Sequence, residues 1–149
     1  MDADQNAKGR YDRIRQLCSE TFPDLPRDMP AAGLIVENKE DQKRFGLWIM
    51  PDNITDGSIE TFLRLLVQDE KLWTMACDSV SKAVEAGANC RPTHRAKAEL
   101  YTWLAWQDPP GQSPGASLAG KILDPKSVHA AGFVDWFVTL YQLPLQHQL

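Results

Sequence analysis

Four carboxylates and one short basic run are the side chains here whose types and spacing could do chemistry together. Asp2 and Asp4 form an Asp-x-Asp pair, and Asp52 and Glu60 follow a short apolar run. Hard oxygen donors of this kind suit Mg²⁺ and Mn²⁺, and two such ions can clamp the attacking and leaving oxygens of a phosphodiester. Each carboxylate also has a plainer reading, and for Asp2 and Asp4 it is a frayed, solvated terminus. Asp52 follows Pro51 as a turn residue would, and Glu60 falls in a helical first turn, where an anion suits the macrodipole. Arg91, His94, Arg95 and Lys97 gather at the start of another helix. Exposed cations there oppose the dipole by a few tenths of a kcal/mol each. They answer either a nearby anion or solvent alone.

Other chemistries are missing. The chain has no GxGxxG, P-loop, HExxH or GxSxG pattern. His94, His129 and His147 are too far apart in sequence for ligand spacing and read as surface or capping residues. Cys18, Cys77 and Cys90 are odd in number and lack CxxC spacing, so they read as reduced thiols of a cytoplasmic protein. Trp103, Trp106, Trp136 and Phe137 read as core rather than as base-stacking platforms.

The elements that must position these residues centre on the run at 45–50, which is unbroken and apolar until Pro51 stops it. Such a run reads as a buried strand. Asp52 and Asn53 then stand just past its carboxyl end, where open α/β sheets place ligands. Residues 33–36 form a second strand. The charged linker at 37–44 is too short for a helical crossover, so the two strands form an antiparallel hairpin. Trp48 and Met50 belong on one face, and Leu47 and Ile49 on the other.

Tyr11, Ile14, Leu17 and Cys18 mark a helix after the Asp pair. Further apolar periods run over 59–67, over 72–84 with Gly87 as the stop, and from Pro92 to Leu104. A short piece carries Leu118 and Ile122. The last helix, 126–142, is apolar most of the way round, as for a helix buried on several sides or lying at a partner surface. This predicts an α/β fold with few strands, packed by four to five helices.

With 149 residues the chain reads as one domain, 1–149. A net charge of −4 and a pI near 5.3 argue against nucleic-acid binding by overall charge but not against a local basic groove. The acidic opening Met1 to Asp4 is unlike a signal peptide, and no apolar run approaches the roughly 18 residues of a membrane span.

Asp2-Ala-Asp4 with Arg10 to Ile14, the string from Gly46 to Asn53 with Gly57 and Glu60, and His94 to Lys97 running into Trp103 to Gln107 together resemble an uncharacterised bacterial family. That family is related to the Toprim nucleases of the OLD (overcoming lysogenisation defect) type, and the resemblance spans nearly the whole chain. It implies a Toprim-like α/β sheet and Mg²⁺- or Mn²⁺-dependent cleavage of nucleic-acid phosphodiesters. It implies Asp2 and Asp4 as the metal-binding pair, Asp52 and Glu60 as further metal ligands, and Glu60 and Lys97 as catalytic groups. The first strand and glutamate of the Toprim pattern do not appear before Asp2, so the resemblance implies a truncated sheet and a chain inactive on its own. The alternative is a non-catalytic module that docks a protein partner, or a second copy of itself, through the apolar last helix.

Overall fold

The computed structural model describes residues 1–38 and 42–144. Its elements are α1 (Ala7–Cys18), β1 (Leu34–Asn38), β2 (Lys43–Leu47), α2 (Ile59–Arg64), α3 (Glu70–Glu85), α4 (Arg95–Ala105), α5 (Pro114–Ala119) and α6 (Val128–Tyr141). This is a mixed α/β fold with a two-stranded antiparallel sheet and six helices among the described residues, more than the four to five expected. The chain divides into two compact units, Met1–Ile59 with Val128–Leu149, and Glu60–Ser127.

In the first unit, β1 and β2 pair antiparallel in a register running from Leu34 opposite Leu47 to Asn38 opposite Lys43. The hairpin expected from the sequence is present, but its boundaries move. Half of the supposed linker is strand, because Glu37 and Asn38 extend β1 while Lys43 and Arg44 begin β2. Charge hid this extension. Glu37 and Arg44 are directly opposed and form an ion pair, so two exposed charges satisfy each other across the ladder. Glu40 lies outside the described residues.

The apolar run outlasts β2 and changes neighbour. At 48–50 it pairs in parallel with residues 1–3. The Met1 nitrogen donates to the Trp48 carbonyl (2.9 Å), Met50 N–H to Met1 (2.7 Å) and Ala3 N–H to Met50 (3.1 Å). The expected alternation of faces holds for Leu47, Trp48 and Ile49. Leu47 and Ile49 pack with Ala3, Ala7, Tyr11 and Leu34. Trp48 meets Phe133 and Trp136 of α6, at ring-centroid distances of 5.5 and 5.7 Å.

Each helix of this unit is fixed by its ends. The Asn6 side chain accepts from Gly9 N–H (2.7 Å) and caps α1, which buries Ala7 and Tyr11. Helix α6 lies on the hairpin because two glycines leave room. A Cβ at Gly33 would strike the Trp136 and Trp48 rings, and one at Gly46 would strike Leu140. Trp136 Nε1 donates to the Leu34 carbonyl (3.0 Å). At the far end of α6, Arg44 Nη1 donates to the carbonyls of Thr139 (3.2 Å) and Leu140 (2.9 Å). Gln142 turns left-handed (φ 52°), and Leu143 N–H returns to the Val138 carbonyl (3.0 Å). A cation and a left-handed residue together satisfy carbonyls that the helix leaves open.

The second unit is helical. Its core contains Leu66, Val67, Ala76, Val80, Leu100, Trp103, Leu104 and Leu123. Asp69 caps α3 by accepting from Leu72 N–H (2.9 Å), and Gly87, at φ 99°, follows its end. Helix α2 stops at Arg64 rather than at 67. Its continuation tightens into three-residue bonds from Leu65, Leu66 and Val67 to Phe62, Leu63 and Arg64 (3.0–3.1 Å). The Leu66 carbonyl is then taken by Asp124 N–H (2.8 Å).

Candidate functional site

The strand end is built from the bottom by backbone bonds. Parallel pairing of 1–3 with 48–50 sets Asp2 beside Met50, and Asp4 N–H bonds the Gly57 carbonyl (2.8 Å). The Asp-x-Asp pair is therefore held rather than frayed. Asp4 turns left-handed (φ 56°), a conformation aspartate tolerates, and the extended geometry ends there. The two carboxylates go to different partners. Asp2 Oδ1 accepts from Ile59 N–H (2.9 Å), while Asp4 forms an ion pair with Arg10.

Asp52 is a turn residue in fact. Its Oδ1 accepts from the N–H groups of Ile54 (3.0 Å) and Thr55 (2.7 Å), and the Thr55 hydroxyl lies 3.0 Å from both carboxylate oxygens. Burial pushes its pKa up, but these bonds together outweigh burial and hold it below the ordinary carboxylate value.

Asn53 corrects the expectation of a polar pair facing a ligand. It is only 3 % exposed, with φ 72°. Its Oδ1 accepts from Ile49 N–H (2.8 Å) and its Nδ2 donates to the Ala31 carbonyl (3.0 Å). The side chain supplies bonds that the interrupted ladder lacks at Ile49. Sequence reasoning also passed over Asp56. Its Oδ1 accepts from Ala7 N–H (2.8 Å), the first of α1. The available signal was an aspartate directly before Gly57.

Asp2, Asp4 and Asp52 belong to the first unit, and Glu60 and Lys97 to the second. Glu60 lies in the first turn of α2. Lys97 lies in the first turn of α4, with Nζ 5.8 Å from the Tyr101 ring centroid. The basic run also has internal partners. Arg95 donates to Glu99 Oε1 (2.7 Å) and to Ser81 Oγ (2.6 Å), and a short 3₁₀ turn, Pro92–His94, precedes α4. The cost of a cation in this first turn is thus offset within the second unit.

Among the described residues, no group of three or more His, Cys, Asp or Glu side chains is gathered to hold a metal ion. His94 and His129 are exposed, and His147 lies outside the described residues. The three cysteines are free thiols. Trp103 is core at 2 % exposure, whereas Trp106 and Phe137 are about two-fifths exposed, at 43 % and 41 %, against the core reading. Among the described residues, no helix is long and apolar enough to cross a membrane.

Fold and site together define a mixed α/β protein with an acidic strand end. The chain belongs to the family described as "Protein of unknown function (DUF3226)", which matches residues 1–142. No curated protein and no solved structure matches it.

Proposed function

We propose that the chain is a Toprim-like domain holding part of the site of a Mg²⁺- or Mn²⁺-dependent nucleic-acid phosphodiesterase, and that it does not cleave by itself. The observation supporting this is the parallel pairing of 1–3 with 48–50. It sets Asp2 and Asp4, just ahead of α1, beside the extended segment that Asp52 follows. The inactivity follows from the bonds these carboxylates already make. Asp52 spends both oxygens on its own turn, and Asp4 is held by Arg10. Glu60, as a further metal ligand and catalytic group, and Lys97, as a catalytic group, are the residues of the second unit that this reading names.

Titration with Mn²⁺, read by calorimetry, tests the proposal together with a plasmid-nicking assay. The expected result is weak binding that Asp4→Asn and Asp52→Asn each reduce, with no nicking. The absence of any Mn²⁺ binding would remove the phosphodiesterase reading. Nicking that both substitutions abolish would show instead that the chain is active.

A second reading, a non-catalytic interaction module, is favoured by the outer side of α6. Val134, Phe137 and Tyr141, at helical spacing, are 46 %, 41 % and 60 % exposed, and the Phe137 and Tyr141 rings lie 4.7 Å apart. Isolated surface apolar residues are ordinary, but a stripe on one helix marks an interaction surface. Sedimentation analysis distinguishes the two readings. Self-association lost on Phe137→Asp supports the module, and a monomer that binds no hydrophobic dye argues against it.

A further inference from the structure

We propose that the first unit carries a second, unassigned site, an anion pocket for a small phosphorylated ligand between α1 and the loop that follows it. The proposal does not depend on the strand-end reading. A depression of about 650 Å³ is lined there by Lys8, Arg15 and Arg27, with Phe22, Pro23 and Leu25 as an apolar wall. That volume lies in the range of small-molecule sites. The carboxylate in its lining, Asp12, is engaged by Lys8 Nζ at 3.0 Å. Arg15 and Arg27 have no acidic partner among the described residues. Positive charge is thus concentrated in one hollow of a chain whose net charge is −4.

Arg15 alone would be explained by its place in the last turn of α1, where a cation suits the dipole. Arg27 has no such explanation. Its loop is pinned to α1 by Tyr11, whose hydroxyl donates to the Pro26 carbonyl (2.7 Å) and which is itself only 1 % exposed. A buried phenol therefore holds one guanidinium-bearing segment against the helix that carries the other. Two guanidinium-bearing residues lining one hollow match the charge of a dianionic phosphate better than that of a single carboxylate. The apolar wall adds room for a flat organic group beside the phosphate.

Calorimetry with inorganic tripolyphosphate, ATP and adenosine tests this. Both phosphate probes should bind and adenosine should not, with affinity falling as salt rises. Arg15→Ala and Arg27→Ala should each weaken binding by about tenfold, or ~1.4 kcal/mol. Arg13→Ala, an exposed arginine of the same helix outside the depression, should leave binding unchanged. Circular dichroism confirms that the variants fold. No binding of either phosphate probe at about 1 mM would overturn the proposal. So would an equal loss with Arg13→Ala, which would mean diffuse charge attraction rather than a site.

Discussion

Two polar clusters in the first unit carry opposite charge and opposite degrees of engagement. At the strand end, Asp2, Asp52, Asn53 and Asp56 all accept backbone N–H groups, and Asp4 is held by an arginine. In the hollow beside α1, Arg15 and Arg27 have no such partner among the described residues. A suggestive residue type is therefore not yet a site. A carboxylate that takes an otherwise orphaned N–H holds the fold together, because leaving that donor bare in a partly buried place is costly. A cation whose partner is water costs the fold little and remains available to a ligand.

Substitutions in the two clusters test this contrast. The largest effect should come from Asn53→Gly, which tolerates the left-handed backbone but deletes the side-chain bonds to Ile49 and Ala31. The buried Ile49 N–H and the part-buried Ala31 carbonyl lose their partners, so urea denaturation should show a loss of about 2 kcal/mol. A loss below about 0.5 kcal/mol would mean that water replaces the amide and that the strand end is looser than described.

Asp2→Ala and Asp56→Ala should each cost about 1 kcal/mol, since each removes an acceptor from the first N–H of a helix. Asp2→Asn and Asp56→Asn should recover most of it, because an amide oxygen still accepts. If the asparagine variants were as unstable as the alanine ones, charge rather than capping would be the cause.

Asp52 should show itself in pH. Its folded pKa lies below the unfolded value near 3.8, so its contribution is fully present above that value and fades as pH falls through the lower folded pKa. The stability gap between the wild type and Asp52→Ala should therefore be constant near neutrality and narrow below about pH 4. A gap that stayed constant through that window would remove ionisation from the account. The smallest effects belong to the opposite cluster. Arg15→Ala and Arg27→Ala should leave stability within about 0.5 kcal/mol of the wild type, as surface changes do. A larger loss would show that these cations, too, serve the fold.

Much of the local structure was legible in the chain. The hairpin, the helical periods, the stop at Gly87 and the opening at Pro92 follow from periodicity and backbone chemistry, which act within a few residues. The assignment failed where a partner came from far away. Glu37 and Arg44 read as linker because each charge looks exposed until the other stands opposite. Asn53 looked like a ligand-facing group because nothing nearby in sequence announces that Ile49 and Ala31 need it. Helix α2 ended early because its last carbonyls are shared with tighter bonds and with Asp124.

Side-chain type and φ and ψ preferences already set which stretches alternate, which turn and which carry charge. What each polar group is for depends on long-range packing. Residues 1–3 pair with residues 48–50 across almost fifty positions, and that long-range pairing turned an isolated Asp-x-Asp into a strand end. Tyr11 reaching Pro26 ties the loop that carries Arg27 to the helix that carries Arg15 in the same way. The physical reason is the same in both places. Hydrogen-bond demand is fixed by the covalent chain, but the group that meets it is chosen by packing, and packing is a property of the whole fold.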